Sequence, residues 1–495
     1  MFAKERVLKE IFGFNSFRPS QSEAIDSLFD PNTQGVLVIL PTAGGKSLLY
    51  QLPALMFNGL TIVVSPLISL MKDQVDYLRS RRIPVEFYNS SLSEFEKRTI
   101  EQKIANHEPK LLYVAPERFS DGKFMQLLKQ SNCIDLLAVD EAHCISVWGH
   151  DFRPSYRMIK DAIHYLEPKR IIALTATATK HVQQDICDQL DIPNAKRIIY
   201  GFYRPDLKLN VKYYNSSSRI EKVVSEVSRH VRNGDNTGII YCPTKRLANA
   251  MYLALSNEGI VSTVYHAGLS DSVREKTQSE WSENGGIIVA TVAFGMGIDK
   301  PDVRFVMHVG LPSSIENYYQ EIGRASRDGK GATCTLYFDS YSDISLQKFF
   351  IDLAYPTQET IESFWEWCCE TADSNGLILM TQEEMASKCR RFVEEHCVPG
   401  CINKLRENQF IETIGRGKYR INTQKQLNSE TFDFDKLNQK REARLTTLSE
   451  LVEYANNKKH CRMLQILDYF NDYSRDESCG KCDVCVQRML KTKPV

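Results

Sequence analysis

Two acids at the end of an apolar run are the residues whose type and placement speak first of chemistry. Ile134, Leu136, Leu137, Ala138 and Val139 lead straight into Asp140 and Glu141. Such a run reads as a central parallel strand, and open α/β sheets bind ligands at the carboxyl edge of their strands. At that edge Asp140 can hold Mg²⁺ through an oxygen ligand and Glu141 can polarise a water. The stretch continues past His143 into Trp148, His150, Phe152, Arg153 and Tyr156, rings and a guanidinium suited to stacking on unpaired bases. The plainer alternative is an acidic strand end followed by an ordinary surface loop.

A second stretch complements the acids. GVLVIL runs directly into PTAGGKS, residues 41–47, a strand followed by a glycine-rich turn that opens a helix. Backbone N–H groups around Thr42, Gly44 and Gly45, with the helix N-terminus, favour a polyphosphate; Lys46 reaches its β/γ-phosphates and Ser47 holds Mg²⁺. A plain strand-to-helix turn is the alternative. Upstream, FGFNSFRPSQ at 12–21 offers Phe14 and Arg18 as platforms for a purine and the Gln21 amide to read its edge, although aromatic loops more often simply pack. Downstream, YYQEIGRASRDG at 318–329 puts Gln320, Arg324 and Arg327 at three- and four-residue steps, one face of an expected helix. On its own that is a solvated surface. Facing a phosphate site from a second domain, it supplies an arginine finger, Arg327 first and Arg324 next, which neutralises charge on a transferred phosphoryl group.

The elements that must position these residues alternate. Apolar strands end in Ser65-Pro66, in Pro116-Glu117-Arg118 and in Thr175-Ala176-Thr177, with an amphipathic helix carrying Leu67, Leu70, Met71 and Val75 between the first two. The pattern restarts at TGIIYCPTK and continues through VSTVYHAGLS and GGIIVATVAFGMGIDK, with Gly295, Met296, Gly297 and Asp299 in a turn. Recurrent strands with crossover helices imply parallel sheets covered on both faces. The expected class is α/β: two tandem parallel-sheet domains, residues 1–205 and 206–345. Beyond Pro356 the alternation stops. Residues 379–421 suggest helix, turn, helix and a two-stranded hairpin, with Thr381 and Glu384 as a capping box and Val398, Ile402 and Leu405 as an apolar stripe. This α+β, winged-helix-like unit is assigned residues 356–425. Arg416, Lys418 and Arg420 at its wing suit phosphate contacts to duplex DNA, the alternative being a solvated charged hairpin. Residues 434–470 read as helix.

Cys461 with Cys479, Cys482 and Cys485 completes a helical element at 430–490. Two successive two-residue spacings let the thiolates converge, and Cys461 supplies a fourth ligand for tetrahedral, structural Zn²⁺; His460 is a bystander. A redox or iron–sulfur role is the alternative.

A chain of 495 residues with 62 basic and 62 acidic side chains has room for about three domains, and with no net charge must bind nucleic acid through local patches. Its charged first residues and the lack of a membrane-length apolar run point to an intracellular protein without membrane contact, as do its 14 cysteines, some beside likely active-site strands. The expected compartment is a bacterial cytoplasm, DNA-associated, or a nucleus if the source is eukaryotic. Protein partners are not written in the sequence.

Together these motifs resemble the RecQ family of superfamily-two DNA helicases over residues 8–345, and DEAHCISVWGHDFRPSYR is the most specific of them. The resemblance implies two RecA-like domains with ATP between them, FNSFRPSQ recognising adenine, SPLISLMKDQ and VAPERF along a DNA path, and TATAT coupling nucleotide state to DNA. It also implies 3′→5′ movement on single-stranded DNA, unwinding duplex or branched DNA in replication, recombination or repair. Family members normally have glycine where Ala43 and Ser326 stand here, and most carry the zinc element before the winged helix rather than after it. Two other functions remain in view: a DNA-structure-binding scaffold with impaired ATPase, and RNA remodelling by the same motor.

Overall fold

Seven short strands in the first two hundred residues pair into one sheet. They are β1 (Gly35–Ile39), β2 (Leu60–Val64), β3 (Val85–Tyr88), β4 (Leu111–Val114), β5 (Ile134–Val139), β6 (Ile171–Thr175) and β7 (Lys196–Ile199), in the order β3-β4-β2-β5-β6-β1-β7. Every pairing is parallel. All residues of β1, β2, β4, β5 and β6 are buried, because helices cover both faces; that is why these strands are unbroken apolar runs rather than alternating ones. This computed structural model describes residues 3–41, 44–66, 68–131, 133–146, 152–214, 216–295 and 300–492.

A second parallel sheet comes next: β8 (Leu207–Tyr213), β9 (Gly238–Tyr241), β10 (Ser262–Tyr265), β11 (Ile287–Ala290), β12 (Phe305–Val309) and β13 (Ala332–Phe338), ordered β10-β11-β9-β12-β13-β8. Residues 200–206 connect the two sheets.

The third unit contains the expected helices, Gln382–Cys389 and Val398–Glu407. Its capping box is present: Glu384 N–H donates to Thr381 Oγ1 at 3.2 Å and Thr381 N–H to Glu384 Oε2 at 2.7 Å. The expected two-stranded hairpin is present and is joined by a third strand. β14 (Leu377–Leu379) pairs with β16 (Lys418–Ile421), which also pairs with β15 (Ile411–Gly415), making a three-stranded antiparallel sheet in the order β14-β16-β15. The helix Gln358–Thr371 closes the core through Ile361, Phe364 and Trp365. Three residues are too few for an alternation to register in the sequence, so β14 is invisible there. The resulting order, helix, strand, two helices, hairpin, is that of a winged helix.

The expected helix over 434–470 is two helices, Phe434–Asn456 and Arg462–Phe470. The Asn457 side-chain oxygen accepts from the N–H groups of Lys459 (3.0 Å) and His460 (3.1 Å), an Asx turn that stops the first helix. Cys461 thereby becomes the residue that starts the second. Both segments keep their apolar stripes, so the periodicity runs through the break unmarked.

The cysteine-bearing element is built against the second sheet. Arg462, fully buried, donates to Asp483 at 3.0 Å from both Nε and Nη2, and Asp483 Oδ2 accepts from the Val211 N–H of β8 at 3.3 Å. Phe470 stacks on Phe202 of the connector at 4.4 Å and against Tyr319 at 5.3 Å between ring centroids. Among the described residues no helix is long and apolar enough to cross a membrane.

Candidate active site

Since the strands of the first sheet are parallel, the segments leaving β1, β2, β5 and β6 all emerge at one edge. Beyond β1, the chain turns at Gly44 and Gly45 into the helix Leu48–Met56. Gly45 has φ +76°, and a Cβ there would lie 2.4 Å from Gln21 Nε2; one on Gly44 would lie 2.9 Å from the Pro41 carbonyl oxygen. Neither position tolerates a side chain. Lys46 Nζ donates to the Leu40 carbonyl at 3.1 Å, so the ammonium is held within the loop it serves. Thr42 and Ala43 lie outside the described residues.

Gln21 is engaged at both ends: its Oε1 accepts from the Arg18 N–H at 3.0 Å, and its Nε2 donates to the Gly44 and Gly45 carbonyls at 3.3 and 3.4 Å. The amide therefore braces the glycine turn. Phe14 is half exposed nearby in sequence, as a stacking platform requires.

Asp140 is 8% exposed. Burial, with the Glu141 carboxylate beside it, lifts its carboxyl to about 7, while Lys46 opposes the rise. A buried acid beside a second carboxylate and facing a lysine is an environment that a divalent cation relieves. Glu141 has φ +47°, in the left-handed region, which turns its carboxylate off the strand axis; Oε2 lies 3.3 Å from His143 Nδ1.

From His143 a chain of contacts crosses to the second domain. Its Nδ1 is 2.8 Å from Thr175 Oγ1. Thr175 donates its own hydrogen to the Thr177 carbonyl at 3.1 Å, so His143 Nδ1 carries the proton between them. Gln320 Nε2 then donates to Thr177 Oγ1 at 3.0 Å.

The arginines do not share a helix with Gln320. That helix, Ile315–Ile322, ends at Gly323, and Arg324 and Arg327 lie in the loop beyond it. Two features stop it: Ser326 takes φ +53°, and its N–H bonds to the Val303 carbonyl at 3.0 Å, pulling the chain back toward the sheet. Glycine would suit this backbone; here the buried serine uses its hydroxyl to accept from the Gly331 N–H at 2.8 Å. Arg324 is buried and donates to the Gly295 carbonyl, whereas Arg327 is partly exposed.

Sequence reasoning missed Arg204. From the connector its guanidinium donates to the carbonyls of Ala325 (2.7 Å), Ser326 (3.4 Å) and Gly323 (3.5 Å), and Asp206 holds it at 2.6 and 3.0 Å. It grips the arginine loop by its backbone. An arginine and an aspartate two residues apart give no signal of such a reach. Tyr156 departs from its expected role: it is fully buried and donates to the Asp140 carbonyl at 2.8 Å, so it supports the acid strand and stacks on nothing external.

In the aromatic loop, Arg153 Nη1 donates to the Pro66 carbonyl at 3.0 Å, and the Phe152 ring is flanked by Arg157 and Lys440 at 5.4 and 5.6 Å. Trp148 and His150 lie outside the described residues, as do Leu67, Met296, Gly297 and Asp299. Arg416 and Lys418 are exposed at the wing, joined through Gly417 at φ +68°.

The four thiols of Cys461, Cys479, Cys482 and Cys485 lie within 4.8 Å of one another; a tetrahedral zinc with bonds of about 2.3 Å sets its sulfurs about 3.8 Å apart. Backbone N–H groups of Cys479, Arg462 and Cys485 point at the sulfurs of Cys461 and Cys482 from 3.2 to 3.5 Å, as thiolates require. The donor set fits zinc.

Comparison with known proteins agrees with this geometry. The DEAD/DEAH box helicase family model matches residues 18–186, the helicase conserved C-terminal domain model residues 218–329, and the RecQ zinc-binding model residues 418–486. The chain is 42% identical over 360 residues to the ATP-dependent DNA helicase RecQ of Haemophilus influenzae, covering 72% of this chain and 56% of that protein. It is 39% identical over 433 residues to the putative ATP-dependent DNA helicase Q1 of Caenorhabditis elegans, covering 79% of this chain and 68% of the relative. The solved structure of S. cerevisiae Dbp5 bound to RNA and ADP BeF3 shares the fold, with a TM-score of 0.55 at 18% identity over 70% of this chain and 91% of that one. The chain thus spans little more than half the length of the Haemophilus protein.

Proposed function

The chain belongs to the RecQ helicase family, and from that footing we propose that it is an ATP-driven motor that moves 3′→5′ on single-stranded DNA and unwinds duplex or branched DNA in replication, recombination or repair. In this reading Lys46 binds the β/γ-phosphates, and Ser47 and Asp140 hold Mg²⁺, which when bound neutralises phosphate charge. Glu141 orients and deprotonates the attacking water. Arg327, with Arg324 behind it, offsets charge on the transferred group, and Phe14, Arg18 and Gln21 flank the base.

The observation that supports this reading is the link from Glu141 through His143, Thr175 and Thr177 to Gln320. It joins the water-activating acid of one domain to the segment that carries the arginines of the other. Opening the cleft breaks the Thr177–Gln320 contact and withdraws the arginines together, so hydrolysis and closure proceed as one event. His143, Trp148, Phe152 and Arg153 report the bound strand to the acids beside them, and Arg416 and Lys418 hold the duplex by its phosphates. The zinc in its four thiolates has no open position and stabilises folding only.

The deciding experiment is ATP hydrolysis with and without single-stranded DNA, with Lys46→Ala as control. Strong stimulation absent from the control is expected, followed by unwinding of 3′-tailed rather than 5′-tailed duplex. No stimulated hydrolysis by zinc-loaded protein would overturn the reading.

A further inference from the structure

A cluster of positive charge stands where the aromatic loop of the first domain meets the helix Phe434–Asn456, which runs from the winged unit to the zinc element. The Phe152 ring receives Arg157 from its own domain, with Cζ 5.4 Å from the centroid, and Lys440 from that helix, with Nζ 5.6 Å away. Lys440 is partly buried, and among the described residues its ammonium has no hydrogen bond and no ion pair. Its surroundings work against it: desolvation first, then Lys404 and Lys436, and also Arg157, push its pKa down, while Glu407 pushes back. That glutamate is already paired with Lys404 at 2.9 Å. Lys436 lies one turn before Lys440 on the same helix face and is exposed, as is Arg157. Here four cations gather around one carboxylate that is already paired, in a chain whose charges balance overall.

Like charges held this closely call for an anion. The ring between them says which kind: a cationic track with an aromatic platform matches a single strand, whose phosphates follow the cations while a base stacks. A free phosphate would have no use for the ring.

We propose that Lys436 and Lys440, with Arg157, form a phosphate subsite for single-stranded DNA between the aromatic loop and the helix 434–456. The subsite rests on the motor reading above and extends it, giving the strand a direct contact between the first domain and the C-terminal third that bypasses the second domain. Strand binding there fixes the separation of Phe152 from helix 434–456, so the C-terminal units sense the same strand that the acids of β5 sense.

The test is the salt dependence of oligothymidylate binding by the full, zinc-loaded chain, read by fluorescence anisotropy. Each phosphate neutralised on a single strand contributes about 0.7 to the slope of log affinity against log salt. Lys436→Gln with Lys440→Gln should flatten that slope by about 1.4, Arg157→Gln alone by about 0.7, and Lys440→Arg should keep the wild-type slope. Zinc content and melting midpoint identify the folded variants, and Arg157→Gln provides an independent arm should the double variant misfold. A wild-type slope in both the folded double variant and Arg157→Gln overturns the subsite and leaves the motor reading standing. A flattened slope seen with oligouridylate but not with oligothymidylate overturns its assignment to DNA. No strand binding by the wild-type chain overturns the motor reading and the subsite with it.

Discussion

The two faces of the proposed nucleotide cleft are built by different means. The face on the first domain consists of strand ends: the turn after β1, the acids after β5 and the threonines of β6 arrive together because parallel strands share an edge. Its supports are close by, with Gln21 bracing Gly44 and Gly45 and Tyr156 bracing Asp140. The face on the second domain is a loop, and what holds it comes from elsewhere in the chain. Arg204 of the connector grips three of its carbonyls, and Phe470 of the cysteine-bearing element packs on Tyr319, next to Gln320. One face is fixed by topology; the other is held by contacts from its neighbours. On the proposed motor reading, a cleft that opens and closes needs that asymmetry.

The sharpest way to break the comparison is at Glu141. Glu141→Gln keeps the shape of the first face and removes the proposed base, so turnover should fall by about 10²- to 10⁴-fold while ATP binding, read by a fluorescent analogue, persists. Loss of binding in step with turnover would show that the acid shapes the face as well as acting on it.

Next is the borrowed face. Arg204→Ala removes charge-assisted hydrogen bonds of about 1.5–3 kcal/mol, which corresponds to about 10- to 150-fold in kcat if the loop is held for the transition state. KM for ATP should stay close to wild type, since no group of the first face has moved. Lys in its place keeps the charge but not the fork that spans three carbonyls, and should recover only part of the loss. Equal losses in kcat and in ATP affinity would mean that the two faces are not separable.

A smaller effect on turnover is expected from the cysteine-bearing element. Cys482→Ser should release the metal, measured by zinc content, and lower the melting transition by about 10 °C, near 3 kcal/mol for a domain of this size. With Phe470 no longer seated, kcat should fall about fivefold at temperatures where the variant is still folded. Unchanged turnover in zinc-free, folded protein would confine the element to stability.

How much of this can be read in advance divides along the same line. Strands β1, β5 and β6 and the residues they deliver are local patterns, an apolar run and then Gly, Lys, Ser, Asp, Glu or Thr, so the first face is legible residue by residue. The four cysteines are legible by spacing. The arginine loop is not: a three- and four-residue rhythm reads as helix, and only the tether of Ser326 to Val303, a strand away, ends the helix at Gly323. Arg204 is illegible for the same reason, since the carbonyls it grips lie more than a hundred residues on. The break at Asn457 and the short β14 depend on one side chain and one pairing, neither of which leaves a period.

Ser326 gives the finest test, because two small terms oppose each other there. A non-glycine residue in the left-handed region costs about 1–2 kcal/mol, which Ser326→Gly would recover. The same change deletes the hydroxyl that accepts from the Gly331 N–H at 2.8 Å, a bond of about 0.5–1.5 kcal/mol, and frees a backbone that serine restricts. The net shift in stability should therefore stay within about 1 kcal/mol, seen as a few degrees at most in the melting midpoint. Turnover is the more telling readout. If the hydroxyl is one of the contacts that fix the loop, glycine should lower kcat slightly with no change in KM, and Ser326→Ala, which keeps the strain and loses the bond, should lower it further. Should glycine instead raise kcat, the serine would be a brake on the arginine loop, and the borrowed face would be held more tightly here than turnover requires.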